Sequence, residues 1–105
     1  MRYEIVLAPT AAQTLRALAA RWRAEVEDAL ETHLRHEPGK VSKSRIKRLR
    51  GISRPQYRLR VGDIRVFYDV TATDVLVLAI ITKAEAAAWL ETEGVTDEGG
   101  RAGEG

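Results

Sequence analysis

Residues 57–68 read Tyr-Arg-Leu-Arg-Val-Gly-Asp-Ile-Arg-Val-Phe-Tyr. Two short alternating segments flank Gly62-Asp63, a pair suited to a tight turn. Side chains alternate across a strand, so Tyr57, Leu59 and Val61 share one face while Arg58 and Arg60 share the other. In the second segment Ile64, Val66 and Tyr68 align, opposite Arg65 and Phe67. The stretch predicts a β-hairpin with an apolar core face and an arginine-bearing face. A guanidinium is planar, permanently charged and able to grip an oxyanion through two parallel hydrogen bonds. Three of them on stiff strands suit a phosphate. Exposure to water alone also accounts for Arg at strand positions, so the surroundings of the hairpin decide between the two readings.

Immediately upstream, residues 40–56 are rich in Lys and Arg and poor in apolar side chains. They read as a basic, mobile connector, with a short helical turn near Arg45–Leu49, steering phosphate toward the hairpin. Residues 40–65 hold ten Lys or Arg against one acid, Asp63, a local charge of +9. The rest of the chain carries seven bases and fourteen acids, or −7, and the two sums give the overall +2. Segregation this sharp points to a polyanionic partner rather than to general solubility.

Working outward toward the start, residues 3–8 read as a first strand, and Pro9 suits the first turn of a helix. Leu15, Leu18, Ala19 and Trp22 recur at helical spacing, which predicts a helix over about residues 9–21. Val26, Ala29, Leu30, His33 and Leu34 mark the apolar stripe of a second helix, ended by Pro38-Gly39. Two amphipathic helices in succession make a helical hairpin that needs a sheet to cover. Toward the other end, residues 75–81 are apolar on both alternating faces and predict a central strand. Residues 84–92 are strongly helix-forming, with Thr82 as the cap. A Gly- and Glu-rich disordered tail is expected over 93–105.

With 105 residues, 45% hydrophobic and 30% charged, the chain fits one globular domain rather than a disordered segment. It contains no cysteine, which excludes disulfides and thiolate zinc sites. No apolar run reaches the length of a membrane span and the start does not read as a signal peptide, so a cytoplasmic protein is expected. Acid–base candidates are sparse. His33 falls on an apolar stripe, His36 and Glu85 suit helix termini, and Tyr57 and Tyr68 read as core-edge residues. Trp22 reads as core; Trp89 suits either core or a stacking platform.

Leu49-Arg50-Gly51, the hairpin at 57–68 and the apolar strand that follows together resemble the RelE/ParE superfamily of toxins from bacterial type II toxin–antitoxin systems, over about residues 3–92. The resemblance implies an α+β, RelE-like fold. An N-terminal strand would be followed by a helical hairpin packed on a mostly antiparallel twisted sheet, then by a C-terminal helix. It implies no metal or other cofactor, and a cognate antitoxin as partner. One branch of the superfamily cuts mRNA in the ribosome; another poisons DNA gyrase; a degenerate member would survive as an antitoxin-bound repressor component. The first is the expected activity here.

Carried over residue by residue, the resemblance makes Arg58, Arg60, Arg65 and Lys83 the catalytic candidates. Lys43, Lys47, Arg48, Arg50, Arg54 and Trp89 are expected to bind RNA. Metal-free cleavage would have the 2′-OH attack the adjacent phosphorus while cations hold the growing charge. The chain departs from the RNA-cutting pattern at Ala84, in place of an Arg, and near Trp89, in place of a Tyr that moves a proton.

Overall fold

The structure, a computed structural model, describes residues 1–97. The first strand, β1 (Glu4–Leu7), runs into α1 (Pro9–Ala17), with Pro9 at the helix start where its missing N–H costs nothing. Leu18 and Ala19 then adopt extended backbone, and α2 (Ala20–Ala29) begins. The first helix therefore ends at Ala17, short of the expected 9–21, and residues 20 and 21 already belong to the second helix. The apolar spacing from Leu15 to Trp22 runs through the break, and no Gly or Pro marks it. Arg23 Nη1 donates to the carbonyl of Arg16 at 3.2 Å, satisfying a group that the end of α1 leaves open. A π-helical turn, Leu30–Leu34, prolongs α2.

The segment expected to be a mobile connector is ordered. It contains β2 (Ile46–Arg48) and β3 (Ile52–Arg54), and no helical turn forms near Arg45–Leu49. Ile46 explains the difference. It is 4% exposed and pairs with Leu59, so one buried side chain anchors an otherwise polar strand. Then come β4 (Tyr57–Val61), β5 (Ile64–Val70), β6 (Asp74–Thr82) and α3 (Lys83–Glu93). A two-residue strand, β7 (Val95–Thr96), pairs with β3. Residues 93–97, expected in the tail, thus finish α3 and form this small second sheet; the remainder of the expected tail lies outside the described residues.

The main sheet has the order β1-β6-β5-β4-β2, with β1 parallel to β6 and every other pairing antiparallel. This is the expected α+β arrangement with a mostly antiparallel sheet. The hairpin register, Tyr57 opposite Tyr68 through Val61 opposite Ile64, is the one that two-residue turns at Gly62-Asp63 allow. Gly62 has φ +59° and Asp63 is not in that region, as in a type II′ turn.

One face of the sheet packs against α1 and α2. Ala11, Leu15, Val26, Leu30 and Leu34 meet Leu59, Val66, Tyr68, Val75, Val77 and Ile80 in one buried cluster. At the centre Tyr68 stacks on Tyr57, with ring centroids 5.4 Å apart, and its hydroxyl donates to the Pro38 carbonyl at 2.6 Å. On the opposite face, fully buried Phe67 stacks on Trp89 of α3, with centroids 5.1 Å apart. A bulge at Leu78 shifts the β5–β6 register after Phe67. α3 covers part of the second face, and Arg58 and Arg60 lie on the same face toward the β2 edge, with Val6 and Leu76 toward the β1 edge.

Candidate phosphate-binding face

The ladder places the basic side chains in rows across the strands. Lys47 of β2 lies opposite Arg58 of β4, which lies opposite Phe67; Arg60 lies opposite Arg65, which lies opposite Ile81. All of these point away from the helical core, because their neighbours Leu59, Val61, Ile64 and Val66 fill it. The hairpin alternation thus gathers Arg58, Arg60 and Arg65 as expected, and β2 adds Lys47 to them.

The three arginines differ in environment. Arg60 is exposed. Arg58 is half-buried, and its Nε is enclosed with no hydrogen-bond partner. Burial first, then the charges of Arg65 and Arg60, hold its guanidinium below the usual arginine range. Arg65 is 7% exposed and turns back on the hairpin: Nη1 donates to the carbonyls of Gly62 at 2.9 Å and Ile64 at 3.1 Å. Among the described residues none of the three is paired with a carboxylate. Mutually repelling cations with no acid beside them form a site short of an anion.

Lys83 opens α3. Its backbone N–H donates to the Asp63 carbonyl at 2.8 Å, which ties the helix start to the hairpin turn. Glu85 accepts hydrogen bonds from the Thr82 hydroxyl at 2.8 Å and the Thr82 N–H at 3.2 Å. Those bonds hold its carboxyl below the ordinary range, so it serves as the cap of α3.

The remaining basic candidates scatter. Arg48 donates to the Gln56 carbonyl at 2.7 Å and lies over the Tyr57 ring, 5.3 Å from its centroid, on the core side of the sheet. Arg54 Nε lies 3.5 Å from Asp69 Oδ2. Burial pushes the Asp69 carboxyl up, against the Gln56 N–H, Arg54 and Arg48, which act to lower it. Lys43 and Arg50 are exposed on loops. Trp89 has one ring face committed to Phe67 and lines a separate groove of about 630 Å³ between α1, β6 and α3, with Arg54 at its rim.

One residue was missed. Arg45 precedes β2; its carbonyl accepts from the Arg60 N–H at 2.8 Å, which fixes its backbone at the sheet edge, and it lines the cleft beside His33 rather than the arginine face. The polar–apolar–polar order Arg45-Ile46-Lys47 was the available signal.

Among the described residues, the face can neutralise an oxyanion but carries no evident proton carrier. Burial raises the Tyr68 phenol far above its ordinary range, and its proton is held by Pro38. His36 Nδ1 lies 3.2 Å from the Met1 carbonyl, and His33 opens on a different cleft with Arg45. Among the described residues no group of three His, Cys, Asp or Glu side chains could hold a metal, and no helix is long and apolar enough to cross a membrane.

Residues 5–87 match the family described as the ParE toxin of the type II toxin-antitoxin system, parDE. No curated protein is significantly similar in sequence. Among solved structures, the toxin–antitoxin complex RelBE2 from Mycobacterium tuberculosis contains a similar chain, 26% identical with a TM-score of 0.64, covering 79% of this chain and 100% of that one. A chain of the archaeal RelE–RelB complex from Pyrococcus horikoshii is 27% identical with a TM-score of 0.57, covering 79% and 97%. At 16% identity and a TM-score of 0.54, a chain of the RelB–RelE complex from Methanococcus jannaschii, covering 80% and 96%, shares the fold. A match over most of the chain, with a RelE-like sheet beneath it, makes this protein a member of the ParE toxin family, a RelE/ParE-superfamily toxin of a type II toxin–antitoxin system.

Proposed function

We propose that this toxin acts on translation by seating the mRNA phosphate backbone on the face formed by Arg58, Arg60 and Lys47 and promoting metal-free cleavage at the ribosome. The observation that carries the reading is the clustering of Arg58, Arg60 and Arg65 on one sheet face with no carboxylate partner among the described residues. In the reaction the 2′-OH attacks the neighbouring phosphorus and the bond to the 5′ oxygen breaks. Arg58 and Arg60 would stabilise the charge that grows on the phosphoryl oxygens. The 2′ proton passes to water or to an RNA or ribosomal group, since arginines hold their protons too tightly. Lys83, at the start of α3, is the remaining candidate to donate toward the leaving oxygen.

A cognate antitoxin is the proposed neutralising partner, because the similar solved chains were captured with antitoxins. Among the described residues no carboxylate pairs with Arg58, Arg60 or Arg65, so an acidic antitoxin segment would complement the face.

The missing proton carrier favours a second reading, in which the toxin binds DNA gyrase and poisons it without nuclease chemistry. Mapping transcript ends in a translating extract separates the two. Translation-dependent cuts that vanish with Arg60→Ala support cleavage. Intact transcripts, together with altered supercoiling by purified gyrase at stoichiometric toxin, support the second reading.

A further inference from the structure

The π turn Leu30–Leu34 is an irregularity of a kind that recurs at functional sites. Between it and the loop leading into β2 lies a cleft of about 270 Å³, lined in part by His33, Glu37, Lys40, Val41 and Arg45. This is near the lower bound of ligand pockets and has room for one base.

The cleft is held in shape. Ser42 Oγ accepts the N–H groups of Arg45 at 3.0 Å and Ile46 at 3.1 Å, and the Ser42 N–H donates to the Ile46 carbonyl at 3.0 Å. Burial first, then the charge of Arg45, keeps the His33 imidazole below its ordinary range, so the ring is neutral near pH 7. A neutral imidazole offers one donor, one acceptor and a flat surface. Val41, 56% exposed, adds an apolar side chain at the mouth. Lys40 Nζ lies 3.8 Å from Glu37 Oε2, with both side chains largely in water, a contact weak enough for a phosphate to replace. Arg45 joins the cleft to the arginine face, since its carbonyl holds the Arg60 N–H.

We infer that this cleft is a second subsite for single-stranded RNA. A strand seated on Arg58 and Arg60 continues over the sheet edge past Arg45, places a phosphate between Arg45 and Lys40, and lays a base against His33 and Val41. The inference rests on the RNA reading above and extends it by naming where the strand leaves the arginine face. An acidic peptide would find the same two cations, but it has no flat group to match the neutral ring and Val41.

Anisotropy titrations with unstructured RNA of about four and about twelve nucleotides, lengths that bracket typical single-strand sites, test it. The expected result is that the wild-type chain binds the longer RNA more tightly. Lys40→Ala and Arg45→Ala should each weaken the longer RNA about tenfold, the loss of a charge-assisted bond. Each should lower its salt slope by about 0.7 and leave the shorter RNA unchanged. His33→Gln should weaken the longer RNA with its salt slope intact, as a base contact predicts. Equal losses on both lengths, no loss on the longer, or equally Arg45-dependent binding of an oligoglutamate peptide would overturn the subsite. Wild-type binding to neither length overturns the RNA reading as well; binding to both with the variants inert overturns only the subsite.

Discussion

Arg60 and Arg65 face each other across the hairpin, yet the structure gives them different work. Arg65 spends its hydrogen bonds on the turn carbonyls of Gly62 and Ile64, whereas Arg60 stays in water. Arg65→Ala should cost about 1–3 kcal/mol, because charge-assisted bonds inside the fold are lost and carbonyls are left short of a donor. Arg60→Ala should stay within about 0.5 kcal/mol of wild type, as surface substitutions do. Urea denaturation midpoints of the two variants, read beside their RNA affinities, check the contrast; equal stability would show that Arg65 does not hold the turn. His33 gives a pH test. Its folded pKa lies below the ordinary 6.5, so its contribution to stability is full above 6.5 and is lost as pH falls through the folded value. Wild-type stability should therefore hold above pH 6.5 and decline as the pH falls below it toward the folded value. His33→Gln should flatten that part of the curve in a series of denaturation midpoints.

At the scale of elements, the hairpin turn and α3 position the site. Gly62 sits at φ +59°, a conformation that costs a residue with a Cβ about 1–2 kcal/mol. Gly62→Ala should lower the thermal midpoint accordingly and weaken RNA binding, because Arg65 and Lys83 are both fixed by backbone groups of this turn. α3 is anchored by the Thr82–Glu85 cap and by the stacking of Trp89 on Phe67. Trp89→Ala should cost about 2–4 kcal/mol, combining lost burial with a lost aromatic pair. Loss of amide protection in residues 83–93 ahead of global unfolding would mark α3 as the element released. Both elements could be read in the sequence, as Gly62-Asp63 between alternating runs and as Thr82 before a helix-forming stretch. The pairing of Trp89 with Phe67 could not, because aromatic spacing along a chain does not say which sheet face a later helix will cover. β2 was missed for a related reason. Strand propensity is a matter of context, and Ile46 alone carries the burial that orders Lys47 and Arg48.

For the whole molecule, the +9 carried by residues 40–65 against −7 elsewhere is distributed over a particle of 39 × 31 × 28 Å. Such a dipolar chain should bind RNA with a steep salt dependence. Log affinity should fall by about 0.7 for each phosphate neutralised per tenfold rise in salt, which is the single-strand value. A slope near zero, measured from 50 to 300 mM salt, would show that charge does not drive the contact. Not every basic residue will add to that slope. Arg48 and Arg54 are engaged by Gln56 and Asp69, so Arg48→Ala should leave it nearly unchanged while Lys47→Ala lowers it by about 0.7.

The sequence by itself determined the hairpin, its two faces, the polarity of the chain and the family. Alternation, turn residues and charge runs are local properties, and each is written in consecutive positions. Only the tertiary structure decided which cations converge and which are spent. It bent Arg65 onto its own turn, engaged Arg48 and Arg54 with Gln56 and Asp69, drew Arg45 to the sheet edge and set His33 in the cleft beside it. Those outcomes depend on burial and on partners distant in the chain, and the pattern of neighbouring residues does not encode them.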